Sequence, residues 1–311
     1  MIKGMELSRA YFYEICFPVL EKEFSSYLPR MAAGLIGEGS ECYGYDDAIS
    51  RDHDFGPGFQ IFIPKEDMAV YGDALASRLE QLPKEYKGFQ REESLYGGGR
   101  LGIFSVEDFY KKYIAVEDVP SSLSIWRQIP EHALSTVTNG TVFFDHYGAF
   151  TRIREELKKG YPEDIRLKKM SARLMTMAQS GQYNFPRCLK RKEYVAASLA
   201  LAEFQKALLS FLYLLNHSYC PYYKWSHHGL FALPLLGKEI AEKLNRLTAL
   251  SMETQGKEMV WLIEEMAGQI VAVLKRQQLT RLSEPFLLAQ GPEVIKRISD
   301  PALRNSNPWV E

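Results

Sequence analysis

Two aspartates and a Gly-Ser turn are the residues of this chain whose spacing best suits chemistry. Asp52 and Asp54 are two positions apart, and side chains at i and i+2 of an extended segment point to the same side. Two carboxylates on one side suit a hard cation. Gly39 and Ser40, shortly before them, offer main-chain N–H groups and a hydroxyl to phosphate oxygens. Together these residues indicate metal-assisted chemistry on a nucleotide.

Short apolar runs flank this motif and predict the strands that position it. The runs 32–36 and 59–63 are typical of buried strands, and residues 41–50 would form a short helix or turn between them. Glycine, proline and asparagine-glycine turns separate further elements of the first half. These are helices over residues 7–28 (interrupted near Pro18), 66–82 and 106–113, and strands over 101–105 and 142–144.

Beyond about residue 148 strand-like runs give way to long helical periods. The apolar spacing predicts helices over 152–159, 162–179, 191–215, 238–251 and 256–277. The prediction is an α+β protein with an α/β domain over residues 1–148. An all-α helical-bundle domain would follow over 149–311, and the cleft between the two domains would be the default ligand site.

The composition gives the chain no overall charge that would attract nucleic acid or a membrane, while a local basic groove stays open. The chain has 311 residues, 46% hydrophobic and 25% charged, and a formal net charge of −1. A near-neutral chain has no global field toward nucleic acid or an anionic membrane. The start of the sequence has no apolar signal core. Residues 195–215 are very apolar, but Glu203 and Lys206 interrupt them, which favours a buried core helix over a membrane span.

The four cysteines are scattered along the chain and form no Cys-x-x-Cys unit. In a chain of this length they indicate reduced, mostly buried thiols of a cytoplasmic protein.

The motif resembles the signature of the nucleotidyltransferase superfamily: a strand, Gly-Ser, a linker, then an acid–apolar–acid strand. His53 stands where an apolar residue is usual. The longer strings GEGSECYGYDD (37–47) and SRDHDFGP (50–57) resemble a bacterial family of this superfamily, domain-of-unknown-function family 4037. The string PYYKW (221–225) is similar to a second signature of that family.

The resemblance implies a polymerase-β-like mixed sheet with flanking helices, followed by a helical domain. Gly39 and Ser40 would grip the donor triphosphate, while Asp52 and Asp54 would hold one or two Mg2+ ions. Nucleotidyl transfer needs charge neutralised on phosphate and an acceptor oxygen placed in line, and metals on shared carboxylates supply both. ATP is the expected nucleotide.

Members of the superfamily usually carry a third carboxylate on a later strand. Here that strand is predicted over residues 100–104, and its central residue is Gly102. Glu107 is the candidate for this catalytic role, beside Asp108, although both also suit the first turn of the next helix. Glu92 and Glu93 are further candidates, with a surface position as the alternative.

Residues of the helical half supply weaker candidates. Lys224 would contact phosphate and Trp225 a base, against the alternative of a surface lysine and a packed tryptophan. His53 should face away from its flanking aspartates, as a core or supporting histidine. Cys220 with His227 and His228 is a candidate zinc site, although the spacing fits no standard pattern. The last candidate is a basic cluster, which is also typical of a solvated helix start: Arg187, Lys190, Arg191 and Lys192.

Three functions are compatible with these features. The first is a Mg2+-dependent nucleotidyltransferase acting on an acceptor hydroxyl, with a small molecule favoured over RNA because of the near-neutral charge. The second is a nucleotide-binding sensor on the same fold without catalytic activity, which a missing third acid would favour. The third is a toxin-like enzyme that modifies tRNA, which would need a basic groove.

Overall fold

The computed structural model describes residues 2–51, 55–90 and 101–311. It is an α+β protein, 62% helical with a small mixed sheet, which confirms the predicted class. The chain divides into two compact units. The first comprises Met1–Pro120 with Ala133–Lys159, and the second, called the helical unit below, comprises Ser121–His132 with Gly160–Glu311.

A four-stranded mixed sheet lies at the centre of the first unit. Its order is β5-β2-β1-β6, with β1 antiparallel to β2 and β6, and with β2 parallel to β5. A separate two-stranded ladder pairs β3 with β4. The strands are β1 (Ala32–Leu35), β2 (Gln60–Ile63), β3 (Glu85–Tyr86), β4 (Phe89–Gln90), β5 (Gly102–Ser105) and β6 (Thr141–Asp145).

Both faces of the sheet are covered, because β2 is buried along its whole length. Ile61 and Ile63 point to one face, where they join a core that includes Leu7 and Phe12 of the N-terminal helices. Phe62 points to the opposite face and stacks on Phe150, with a ring-centroid distance of 4.0 Å.

Helices account for most of the remaining chain. Up to residue 158 they are α1 (Gly4–Tyr11), α2 (Phe17–Glu23), α3 (Ser40–Tyr43), α4 (Lys65–Asp67), α5 (Asp73–Glu80), α6 (Val106–Ile114), α7 (Leu123–Gln128), α8 (Glu131–Thr138) and α9 (Ala149–Lys158). The later ones are α10 (Glu163–Met177), α11 (Phe185–Lys190), α12 (Tyr194–Leu215), α13 (Tyr223–Ser226), α14 (Gly237–Ala249), α15 (Gly256–Arg276), α16 (Leu287–Ile295) and α17 (Pro301–Arg304).

Three π-helical segments in the described residues join α-helices without a break. Phe12–Cys16 links α1 to α2, Met68–Gly72 links α4 to α5, and Ala178–Asn184 links α10 to α11. The first of them lies just before Pro18, which has no N–H to donate. The helical run therefore continues through the proline, although the sequence predicts an interruption there.

The first unit also contains α9, which begins just after the domain boundary predicted at residue 148. Phe150 of this helix stacks on the sheet, and the hydroxyl of Tyr110 donates to its main-chain oxygen at 3.0 Å. These contacts explain why α9 belongs with the sheet.

The helical unit is built on α10, which packs against α12 and α16. Helix α12 is long and apolar enough to span a membrane by length and composition, and 44% of its most apolar stretch is buried. Phe204, Leu208 and Phe211 are among its buried residues. A core helix of a folded protein has the same properties.

All four cysteines are free thiols. Cys16 and Cys42 are buried, and burial raises the pKa of Cys16 to about 12. A thiol with such a pKa stays protonated near neutral pH and is a poor nucleophile. The cytoplasmic location stays a prediction.

Candidate functional site

The loop of residues 37–40, called the glycine loop below, connects the end of β1 to the start of α3. Gly37 has φ +146°, a backbone conformation that favours glycine. Because β1 and β2 are antiparallel, the loop lies at the same edge of the sheet as Gln60, the first residue of β2. Phe55 is the first described residue after the two aspartates, and five positions separate it from Gln60.

Two amide side chains, the buried Gln60 and the half-buried Asn139, hold the beginning of this loop. Gln60 accepts from the main-chain N–H of Ile36 at 2.8 Å and donates to its carbonyl at 2.7 Å. Asn139 accepts from the N–H of Gly37 at 3.0 Å and donates to its carbonyl at 2.6 Å. The main-chain N–H and C=O groups of Ile36 and Gly37 are therefore all hydrogen-bonded, which restricts the conformations open to the glycine loop.

A buried arginine supports the turn that carries Asn139. Arg154 of α9 donates to the carbonyls of Val137 and Gly140, each at 3.1 Å. Burial lowers the pKa of its guanidinium. The main-chain N–H of Gly140 in turn donates to the carbonyl of Cys42 at 2.8 Å, which ties this turn to α3.

The rest of the glycine loop has hydrogen-bonding groups to spare. Within the described residues, the N–H groups of Glu38, Gly39 and Ser40 and the hydroxyl of Ser40 have no hydrogen-bond partner. The loop borders a small concavity. This concavity is lined by Leu35, Ile36, Gly37, Glu38, Cys42, Gln60, Leu101 and Tyr113. Such a row of donors can bind the oxygens of an anion.

Replacing Asn139 with alanine is expected to lower the free energy of unfolding by about 1–3 kcal/mol, because both main-chain groups of Gly37 lose their partner. Urea titration measures this change, and hydrogen exchange should show faster exchange at the glycine loop. Asn245→Ala, at an exposed position on α14, is the control and should change stability by at most about 0.5 kcal/mol. Equal effects of the two substitutions would contradict the role given to Asn139.

The predicted metal ligands Asp52 and Asp54 lie outside the described residues, as do His53, Glu92 and Glu93. Their assignment stays a prediction. In the described part of the chain no group of three or more histidine, cysteine, aspartate or glutamate side chains could hold a metal ion. That includes the set Cys220, His227 and His228.

The strand predicted to carry a third acid forms as β5, and it pairs with β2 in parallel. Gly102 lies opposite Gln60 in this register, so no side chain at this position can supply a carboxylate. Glu107 lies beyond the other end of β5, where its Oε2 accepts from the N–H of Lys65 at 3.1 Å. The length of β2, about 10 Å, separates that edge of the sheet from the glycine loop.

Asp108 performs a structural role at that same edge. Its N–H donates to the hydroxyl of Ser105 at 2.9 Å, which caps α6, and its carboxylate pairs with Lys65 at 3.1 Å. Hydrogen bonds with these two residues lower the pKa of Asp108. An exposed first-turn acid of this kind needs no catalytic explanation.

Lys224 and Trp225 lie on α13 in the helical unit. The ammonium of Lys224 is 4.9 Å from the centroid of the Trp225 ring. Lys224 is exposed and has no acidic partner among the described residues, whereas Trp225 is half-buried. Tyr222 and Tyr223 beside them are 51% and 77% exposed, so this short helix presents a cation and aromatic rings to solvent.

The predicted basic cluster lies around the end of α11. Its four side chains are exposed, and Arg187 donates to the hydroxyl of Tyr183 at 2.9 Å. Cations in a last helical turn interact favourably with the helix dipole. This placement agrees with a solvated helix terminus.

Gln60 and Asn139 are the site residues that sequence reasoning missed. Gln60 was predicted only as part of a strand, but a glutamine between Phe59 and Ile61 in a buried run needs hydrogen-bond partners and is therefore a usable signal. Asn139 was predicted only as half of an Asn-Gly turn. Its contact with Gly37 depends on the pairing of β1 with β6, which local sequence does not encode.

Comparison with known proteins adds a family match over a segment in the middle of the chain. Residues 126–226 match the family described as "Domain of unknown function (DUF4037)". The predicted resemblance to that family is thereby confirmed over these residues, which include the string at 221–225. The strings at 37–47 and 50–57 lie outside the matched segment. No curated protein and no solved structure matches the chain.

Proposed function

We propose that this protein is a Mg2+-dependent nucleotidyltransferase that moves a nucleoside monophosphate from an NTP to an acceptor hydroxyl. The acceptor oxygen would attack the α-phosphorus, whose bond to the bridging oxygen of the β-phosphate breaks. Pyrophosphate leaves, and the hydroxyl proton passes to a base or to solvent. Asp52 and Asp54 would hold one or two Mg2+ ions that neutralise charge on the phosphates.

The observation that carries the proposal is the glycine loop. Its three N–H groups and the Ser40 hydroxyl, which have no partner among the described residues, can donate to the oxygens of a triphosphate. Gln60 and Asn139 hold the loop before any ligand arrives, so binding would cost little ordering of the chain. The resemblance of residues 37–57 to the nucleotidyltransferase signature supports the same ligand.

The expected donor is ATP, and the contacts of Lys224 with phosphate and of Trp225 with a base stay predictions from the sequence. The formal net charge of −1 favours a small-molecule acceptor over RNA.

A second candidate is a protein that binds the nucleotide without turning it over. The position opposite the start of β2 is Gly102, where a third carboxylate would otherwise help to bind metal or activate the acceptor. This candidate predicts NTP binding with no release of pyrophosphate.

The test compares a double variant with a charge-matched control. Asp52→Asn with Asp54→Asn removes the proposed metal ligands, whereas Asp73→Asn with Glu85→Gln removes two exposed carboxylates that have no partner in the described residues. Each protein is incubated with Mg2+, α-labelled NTPs and a panel of hydroxylated small molecules. We expect label transfer and pyrophosphate release to fall by about 100-fold or more in the first variant only.

Binding is measured in parallel with Mn2+ as a spectroscopic probe and with a non-hydrolysable ATP analogue. Binding that is lost in the first variant, without transfer by the unmodified protein to any acceptor or to tRNA, would support the second candidate. Equal binding of Mn2+ and nucleotide by both variants would overturn the site itself.

A further inference from the structure

Four cations of the helical unit lie around the side chain of Glu311. They form the cationic cluster: Arg127 on α7, with Lys168, Lys169 and Arg173 on α10. Lys168 and Lys169 are 0% and 4% exposed, and the side chain of Glu311 is fully buried. Burial lowers the pKa of both lysines, because the charged form loses its water. A concentration of buried positive charge needs a compensating anion.

The described carboxylates do not balance this cluster. Arg173 pairs with Glu131 at 3.0 Å, and the hydroxyl of Ser210 also donates to that carboxylate at 2.8 Å. Lys169 is attracted by both Glu131 and Glu311, so these two carboxylates serve all four cations. Four cationic side chains against two carboxylate side chains leave an excess of positive charge among the described side chains.

The carboxylate of Glu311 is also poorly oriented to accept hydrogen bonds from the cationic cluster. Arg127 Nε lies 2.8 Å from Oε1, yet in the described part of the chain neither carboxylate oxygen accepts a well-directed hydrogen bond. Burial raises the pKa of this carboxyl. The ammonium of Lys169 lies 5.4 Å from the centroid of the Tyr161 ring and has no hydrogen-bond acceptor among the described residues. Donors therefore remain unused inside the cluster.

The segment that carries Glu311 is held mainly through its main chain. The carbonyl oxygens of Asn307, Val310 and Glu311 accept hydrogen bonds from members of the cationic cluster. The side chains of Trp309 and Val310 are 40% and 54% exposed. An anion that satisfies the same donors better can replace this segment.

We propose that the cationic cluster is a binding site for a phosphate group, and that residues 307–311 occupy this site until the phosphate displaces them. A phosphate group brings negative charge to these cationic side chains, and its oxygens can accept from arginine and lysine donors together. The cluster lies within the segment that matches the family model, residues 126–226. The inference rests on the helical unit alone and does not depend on the proposed transfer reaction.

Calorimetric titration tests the site with inorganic phosphate and with glycerol 2-phosphate. Glu311→Gln leaves the cluster intact but removes its competing charge, so phosphate should bind at least tenfold tighter. Lys169→Met removes an unused donor and should weaken binding at least tenfold. Glu242→Gln and Lys238→Met, on exposed side chains of α14, are the matched controls and should change nothing.

The two ligands distinguish the sources of the phosphate group. Tight binding of both assigns the site to phosphoryl groups on larger ligands, and binding of inorganic phosphate alone assigns it to the free ion. The proposal is overturned if Glu311→Gln binds phosphate no better than the unmodified protein. It is also overturned if a folded Lys169→Met variant binds as tightly as the unmodified protein.

Trp309 reports displacement without any change to the cluster. Phosphate should shift its fluorescence emission to longer wavelength as the segment leaves and the indole becomes more exposed. The shift should be absent from Trp309→Phe. Binding of phosphate without any shift would show that the segment stays in place and would overturn the displacement.

Discussion

Replacing Phe62 with alanine is expected to lower the free energy of unfolding by about 3–5 kcal/mol. Phe62 is completely buried on the face of the sheet covered by α6 and α9. Its ring stacks on Phe150 at 4.0 Å and meets Phe109 edge-on at 4.9 Å. Alanine would leave a ring-sized cavity among neighbours that are themselves tightly packed. Urea titration followed by far-UV circular dichroism measures the change.

Phe104→Ala is the matched control for this prediction. Phe104 pairs with Phe62 in the register of β5 and β2, and its ring centroid is 6.3 Å from that of Phe62. It is only partly buried, so we expect a cost of roughly 1–2 kcal/mol. Similar costs for the two substitutions would contradict the central position given to Phe62.

Gly140→Ala is expected to destabilise the first unit by about 3 kcal/mol or more and to disturb the glycine loop as well. A Cβ atom at residue 140 would lie 2.0 Å from the main-chain oxygen of Leu35, which cannot rotate away. The φ angle of +66° adds roughly 1–2 kcal/mol for any residue with a side chain. Because Asn139 is its neighbour, the displaced turn would also lose its hold on Gly37.

Gly148→Ala separates the cost of the positive φ angle from the cost of the clash with Leu35. Gly148 has φ +78°, but a Cβ atom there would have no neighbour within 4 Å. This control should therefore show only the conformational cost, about 1–2 kcal/mol, and leave nucleotide binding unchanged. If both variants lose equal stability, the clash with Leu35 is absent and the close approach of the turn to β1 is wrong.

The periodic elements of this fold were predictable because each carries its own signal. The runs that became β1, β2 and β5 are apolar and short, and α15 repeats Met259, Ile263, Met266 and Ile270 on one face. Helix α16 was missed because it contains Gly291 and Pro292, which usually end a helix. Its packing overrides that tendency. Gly291 permits close approach to Met175 of α10, and its carbonyl accepts from Ser171 at 2.8 Å.

The residues of the candidate site likewise divide into those with a local sequence signal and those placed by the pairing of the strands. Gly39 and Ser40 were predictable from local turn chemistry, since a Gly-Ser step after a strand offers donors wherever the strand lies. Asn139 acts on Gly37 from 102 positions away, through the pairing of β1 with β6. The placement of Glu107 at the opposite edge from Gly39 likewise follows from the parallel pairing of β5 with β2. Such relations arise from topology and have no sequence period.

The π-helical segment Ala178–Asn184 sets the angular phase of the helices on either side of it. A residue of an α-helix advances by about 100°, so the extra residue of a π turn rotates everything beyond it relative to everything before it. Because of this rotation, one continuous helical segment packs against two sets of neighbours: α10 against α16, and α11 against α15. The number of residues between Glu163 and Lys190 is thus fixed by packing on both sides, and the loss of a single one would turn one of the two faces away from its partner.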